Sequence, residues 1–255
     1  MRETILKVCG ADVRAMLGGE GEAVLYLHGL EGPRADPLLT GLAKTHRVIA
    51  PEIPGFGRSQ APEWMMGMAD LALFGLDLAE SLNLKRLHLV GYAIGGWMAA
   101  EMAIASPGAF ASLSLIAPMG VLPKQPAFDL FAVQPEEVLR AQFHDASLAE
   151  AELAARANED IDITLQNRTG LARVGWTPRL GSVQLPHWLH RVRAPTAIFW
   201  GREDKIVPIE CAEVFAREIA GARLTAYERC GHAATIERGA ETAQAIAKHI
   251  AGAAA

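Results

Sequence analysis

The sequence predicts an α/β fold: a mostly parallel eight-stranded sheet flanked by helices, with a helical segment inserted after the sixth strand. Short apolar runs alternate along the chain with longer amphipathic stretches, the arrangement of parallel strands joined by crossover helices. Residues 121–191 break that alternation with helical windows and no convincing buried strand. The 255 residues are 51% hydrophobic and 21% charged, which supplies one large core and excludes disorder, collagen and coiled coil.

Strands are expected over residues 4–8, 12–17, 23–28, 47–51, 86–91, 112–117, 196–201 and 223–227. The first two, separated by Cys9-Gly10-Ala11, read as an antiparallel hairpin at one end of the sheet. Helical patterns over 37–44, 68–82, 94–106, 209–220 and 235–251 are amphipathic enough to cover a sheet face. Within the insertion, 135–143 and 147–165 read as helices. The expected organisation is therefore a discontinuous core of residues 1–120 and 192–255 with a helical cap, or lid, of residues 121–191. Ligands of open parallel sheets bind beyond the carboxyl ends of the strands, where such a cap would enclose a pocket.

A formal charge of −5 without a basic run excludes a nucleic-acid footprint. Cys9, Cys211 and Cys230 show neither a disulfide framework nor metal-ligand spacing, so no metal is expected and a reducing, cytoplasmic setting fits. The N-terminal residues carry charges and lack the apolar core of a secretory signal. Residues 102–123 hold no formal charge over a span that could cross a bilayer, but Ser106-Pro107-Gly108 and Pro118 punctuate it into helix end, turn, strand and loop, so it reads as core and no membrane partner is expected.

The chemistry-bearing segments follow strand ends. The strand near residue 89 runs into Gly91-Tyr92-Ala93-Ile94-Gly95-Gly96 and then a helix, with Gly91 and Gly95 flanking Ala93 at −2 and +2. Upstream lies His28-Gly29-Leu30-Glu31-Gly32, then Glu52-Ile53-Pro54-Gly55-Phe56-Gly57-Arg58-Ser59. Downstream come Trp200-Gly201-Arg202-Glu203-Asp204-Lys205-Ile206-Val207-Pro208 and Cys230-Gly231-His232-Ala233. In this order the segments resemble those of the α/β-hydrolase fold family, across all of the expected core and little of the cap. The first resembles its G-x-S-x-G nucleophile elbow, with alanine at the centre.

That resemblance implies a Ser-Asp-His triad whose acid is Asp204, with Glu203 as the neighbouring competitor, and whose base is His232. Ala93 stands at the nucleophile position. The backbone N–H groups of Leu30 and Ile94 would form the oxyanion hole. His28 reads as a buried residue ordering its loop, and Arg58 and Ser59 as turn residues beside a pocket wall. Asp204 could alternatively cap the helix near Pro208. Cys230 reads as a loop or core thiol, not a substitute nucleophile.

A methyl group cannot attack an acyl carbon. Ala93 therefore reads as an inactivating replacement of serine in a serine hydrolase of a carboxylic ester or related acyl substrate. Hydrolysis of a carbon–carbon bond in a ring-cleavage product is the nearest rival. A naturally serine-less His/Asp lyase or oxygenase, or a binding protein on the same fold, stands beside them. No cofactor is implied. His28, Gly29, Tyr92, Phe128, Phe143, Trp176 and Trp188 are the candidate substrate contacts, favouring a small apolar or aromatic substrate. Arg168, Arg173, Arg179, His187, His190 and Arg191 give the late cap a basic bias suited to a carboxylate, and Arg34 and Glu31 are further candidates beside the oxyanion loop. An apolar cap face is compatible with a homodimer.

Overall fold

A computed structural model of the chain describes residues 1–84, 86–124 and 128–253. Strands β1 (Arg2–Val8), β2 (Ala11–Gly18), β3 (Ala23–Leu27), β4 (Arg47–Pro51), β5 (Leu87–Tyr92), β6 (Ser112–Ile116), β7 (Thr196–Gly201) and β8 (Arg223–Tyr227) form one eight-stranded sheet. Its spatial order is β1-β2-β4-β3-β5-β6-β7-β8. The pairs β1/β2 and β2/β4 are antiparallel, and all later pairs are parallel. Eight expected strands thus appear, some longer and some shorter by a residue or two at their ends.

The first hairpin closes through Cys9 and Gly10, both at positive φ (50° and 78°). That twist matches the flanking strands, and glycine at the second position meets nothing within 4 Å. In the central strands the reason for parallel pairing is visible in burial. Every residue of β3, β5, β6 and β7 is buried, as expected where helices cover both faces.

The crossovers are α1 (Pro37–Leu42), α2 (Met68–Ser81), α3 (Ile94–Ala105) and, after the insertion, α8 (Glu210–Glu218). Asp36 caps α1 by accepting from the Leu39 N–H at 2.8 Å, and Pro37 follows at the first helical position. Helix α3 is buried on nearly every side, consistent with its glycine, alanine and methionine content.

The insertion between β6 and β7 contains α4 (Pro135–Gln142), α5 (Ala146–Ala155), α6 (Ile161–Gly175) and α7 (Leu185–Trp188), followed by a 3₁₀ turn at Leu189–Arg191. One helix expected over 147–165 is two. Asp160 stops the first pattern by capping α6, its carboxylate accepting from the Asp162 N–H at 3.1 Å. Alternating polar residues over 156–162 hid that boundary. The C-terminal pattern also divides, into α9 (Ala234–Glu237) and α10 (Gly239–Ala253). No helix among the described residues is long and apolar enough to cross a membrane.

The strand order reverses between β3 and β5, where β3 pairs β4 on one side and β5 on the other. The loops leaving these two strands are neighbours, because Leu27 pairs with Gly91 at their ends. This switch point is where an open α/β sheet offers its ligand crevice. It places His28-Gly29-Leu30 beside Tyr92-Ala93-Ile94.

Candidate active site

Ala93 sits between β5 and α3 with φ 51° and ψ −115°, a conformation costing an L-residue on the order of 1–3 kcal/mol. Backbone bonds impose it. The Ala93 N–H donates to the Ile116 carbonyl at 3.0 Å, and its own carbonyl accepts from Met119 at 3.0 Å and Trp97 at 3.1 Å. The turn is tight enough that glycine is required on both sides. A Cβ on Gly91 would lie 2.5 Å from the Gly95 carbonyl oxygen, and one on Gly95 would overlap the carbonyls of Leu27 and His28. The Gly95 N–H donates to the His28 carbonyl at 3.0 Å, fastening the elbow to the loop after β3.

His28 is fully buried and has both ring nitrogens committed. Nδ1 meets the Gly29 carbonyl at 2.7 Å, and Nε2 accepts the Ile53 N–H at 2.8 Å. This network assigns the neutral Nδ1–H tautomer. Burial pushes its pKa down to about 4, against weaker raising contributions from the Gly29 carbonyl and Glu31. His28 therefore orders the loop and has no nitrogen left for a substrate. Its folded-state pKa lies below the unfolded value, so the unfolded chain binds the extra proton between about pH 6.5 and 4. Stability from this group is present above that window and is lost as pH falls through it, by about 3 kcal/mol at most. We expect His28→Ala to cost about 2–4 kcal/mol at pH 7. The cost should be visibly smaller at pH 4.5, measured by urea unfolding; a pH-independent cost would contradict the assignment.

The Leu30 and Ile94 N–H groups find no acceptor among the described residues, although both residues are buried. Ile94 opens α3, so its N–H is one of the helix's unpaired donors. Two free donors on adjacent loops are suited to a developing oxyanion.

His232 Nδ1 lies 2.8 Å from Asp204 Oδ2, and both side chains are wholly buried. Asp204 Oδ1 accepts from the N–H groups of Ile206 and Val207, each at 2.8 Å. The carboxylate thus does both things the sequence allowed: one oxygen shapes the turn and the other holds the histidine. Trp200 Nε1 donates to the Val207 carbonyl at 2.9 Å and fixes the far end of that turn. Glu203 is turned elsewhere, accepting from the Cys230 N–H at 2.9 Å and tying the two loops together. With Nδ1 committed to Asp204, the His232 lone pair is on Nε2, which is buried and has no partner among the described residues. Burial pushes the Cys230 thiol up to about 12, consistent with an inert loop residue.

Ala93, Asp204 and His232 line none of four cavities of about 400–600 Å³ among the described residues. One, about 600 Å³, is formed mainly by α4, α5 and α6 and meets the loop after β3 at Leu30 and Glu31. Its walls carry Leu130, Leu139 and Leu171 together with Arg156 and Arg168. A second cavity of about 400 Å³ lies against Gly29, Tyr92, Phe143 and Ala233 and is strongly polar. Within it, burial pushes the Asp36 carboxyl up to about 6.

Of the remaining candidates, Phe128 lines a third cavity with Phe131 and Arg179. Trp176 and Trp188 are half exposed and line none of the cavities; Trp176 instead stacks under the Arg179 guanidinium at 4.1 Å. Aromatic content alone could not separate these surface residues from pocket residues. The Glu52 to Ser59 segment supports α6 instead of facing a cavity, with the Gly57 N–H donating to Asn167 Oδ1 at 2.7 Å. Ser59 is buried and accepts from the Arg14 N–H at 3.1 Å. Gln142, Arg156 and Glu237 join the site without any sequence signal that would have marked them.

A buried His–Asp pair, a strained strand-to-helix turn and two N–H groups without an acceptor among the described residues thus lie at the loops that leave the sheet near its switch point. The sequence profile of the Alpha/beta hydrolase family matches residues 24–245, and the chain belongs to that family. It is similar to the 2-hydroxymuconate semialdehyde hydrolase of Pseudomonas putida, 28% identical over 91% of this chain and 88% of the relative. It is 29% identical to the 2-hydroxy-6-oxo-6-phenylhexa-2,4-dienoate hydrolase of Comamonas testosteroni, over 88% of this chain and 85% of the relative. Among solved structures, a serine-to-alanine variant of the meta-cleavage product hydrolase from Pseudomonas fluorescens IP01 superposes with a TM-score of 0.83 at 24% identity, covering 98% of both chains. That likeness shows the fold.

Proposed function

We propose that this chain carries the site of a carbon–carbon bond hydrolase for a ring-cleavage product, with Ala93 closing the covalent route. The observation that carries the reading is the buried His232–Asp204 pair, 2.8 Å apart, with His232 Nε2 left unpartnered. In the serine form, Nε2 would take the hydroxyl proton as the oxygen attacks the carbonyl, and the Leu30 and Ile94 N–H groups would hold the resulting oxyanion. Water then completes the reaction. One fragment gains hydroxyl as a carboxylic acid, and the carbon leaving group gains the proton.

The substrate class is supported by two curated relatives named for such products and by the large cavity, where an apolar wall accompanies Arg156 and Arg168. Arg168 already donates to the Val133 and Phe131 carbonyls and Arg156 faces Glu31 and Glu152, but Arg156 Nε is buried without a partner among the described residues and would be the donor for the acid end of a dienoate. We propose residues 121–191 as the cap that encloses it. This departs from the carboxylic-ester expectation, which the sequence favoured on family frequency and which no feature of the cavity prefers.

The unaltered Ala93 chain should bind without turning over. A vinylogous 1,5-diketone dienoate, titrated calorimetrically, is expected to bind with micromolar Kd, at least about 10-fold tighter than an uncharged aryl ester of similar size. Equal or tighter binding of the ester would return the reading to ester hydrolysis. Absence of binding by both would remove the proposed substrate class.

A further inference from the structure

Neither oxyanion donor has a partner of its own, so each is placed only by its neighbours along the chain. For Ile94 that support is the rigid start of α3. For Leu30 it is His28 behind and Glu31 ahead. Glu31 is held from the cap. Gln142, the last residue of α4 and only 2% exposed, donates from Nε2 to Glu31 Oε1 at 2.7 Å. Its Oε1 faces the Tyr92 hydroxyl at 3.5 Å, and its backbone carbonyl accepts the Ala233 N–H at 2.8 Å.

These three partners are the immediate chain neighbours of Leu30, Ala93 and His232. Next to it, Glu237 Oε1 accepts from the His144 and Asp145 N–H groups, at 2.9 and 2.8 Å, while its Oε2 accepts from Gly231 at 2.6 Å. Leu139 and Phe143 also pack with Ala233 in a small apolar cluster separate from the main core. The cap is thus fastened to the histidine loop by backbone and Glu237 bonds, but to the oxyanion loop by one buried amide, with two ion pairs as secondary support: Arg156 Nη1 3.5 Å from the same Glu31 oxygen, and the partly exposed Arg34 Nη2 3.9 Å from Glu152 Oε2.

We infer that Gln142 is a positioning residue: its side chain transmits the placement of the cap to the Leu30 N–H and so completes the oxyanion hole. The role rests on the hydrolase reading above for its catalytic meaning, but not for its physical content. A buried amide bonded to a carboxylate oxygen is worth more than a neutral pair, and losing one partner leaves the other unsatisfied.

The test uses Gln142→Met, which keeps volume and all backbone bonds while deleting the amide. Hydrogen–deuterium exchange of the unaltered Ala93 chain and of this variant is compared by segment. Residues 28–35 should exchange at least about 5-fold faster in the variant, with residues 87–92 and 230–234 unchanged. Acceleration confined to residues 135–155, or none anywhere, would overturn the inference, since it would leave Gln142 an ordinary cap residue. Should Gln142→Met fail to fold, Glu31→Met removes the same bond from the other side and should loosen the same segment.

In an Ala93→Ser background, Gln142→Met should lower kcat about 10-fold with KM changed less than about 2-fold. A rise in KM alone would also overturn the role. If the serine form turns over neither diketone nor ester, the hydrolase reading fails, while the exchange experiment still decides whether Gln142 holds the loop.

Discussion

Ala93→Ser is expected to raise turnover of a vinylogous 1,5-diketone by at least about 10⁴-fold over the unaltered protein. The size of the effect follows from what is already in place. The elbow holds residue 93 at φ 51° by three backbone bonds that do not depend on its side chain, so serine would inherit the same strained geometry. His232 is oriented through Nδ1 by Asp204, and its Nε2 has nothing else to bond. Two N–H donors stand free. Triad members act as a unit, which makes the gain from completing one much larger than any single contact. His232→Ala added to the serine form should abolish the gain. Short-chain aryl esters are the companion substrates. Preferential ester turnover would replace the carbon–carbon reading, and failure on both classes would count against a serine-dependent site.

Gly95→Ala should destabilise the fold by about 3–5 kcal/mol, measured by urea unfolding, or prevent accumulation of folded protein. The added methyl would overlap two backbone carbonyl oxygens, those of Leu27 and His28, and neither can swing aside as a flexible side-chain tip could. Relief would require moving the start of α3 away from the end of β3. That motion would also break the Gly95 N–H bond to the His28 carbonyl and separate the Ile94 and Leu30 donors. Gly108→Ala is the control, because a Cβ there meets nothing within 4 Å, and it should stay within about 1 kcal/mol of the parent. A cost below about 1 kcal/mol for Gly95→Ala would show that the elbow is not packed as tightly as described.

The two results bear on different links of one chain of cause. Gly91 and Gly95 let the strand and helix approach closely, and closeness puts the donors of two loops side by side. In the proposed function, residue 93 then decides whether that arrangement does covalent chemistry.

The sequence by itself determined the local elements whose cause is local. Period-two and continuous apolar runs marked all eight strands, and the glycines around Ala93 marked the sharp turn, because sterics at a strand-to-helix reversal act over a few residues. Asp204 and His232 were singled out by the resemblance of their segments to those of the α/β-hydrolase family, and the structure brings the two side chains within 2.8 Å. The division of residues 147–165 into α5 and α6 was hidden, since a capping aspartate amid other polar residues looks like an exposed helix face. The burial of Trp176 and Trp188 was not readable either, as aromatic type does not say which side of a cap faces the solvent.

Only the tertiary structure decided which distant residues meet. Glu31, Tyr92, Gln142 and Ala233 are separated by up to two hundred positions, with no spacing rule linking them, yet one buried amide and its carbonyl touch the other three. The physical reason is that a hydrogen bond between segments depends on how cap and sheet pack in three dimensions. Residue type fixes only what each group can donate or accept.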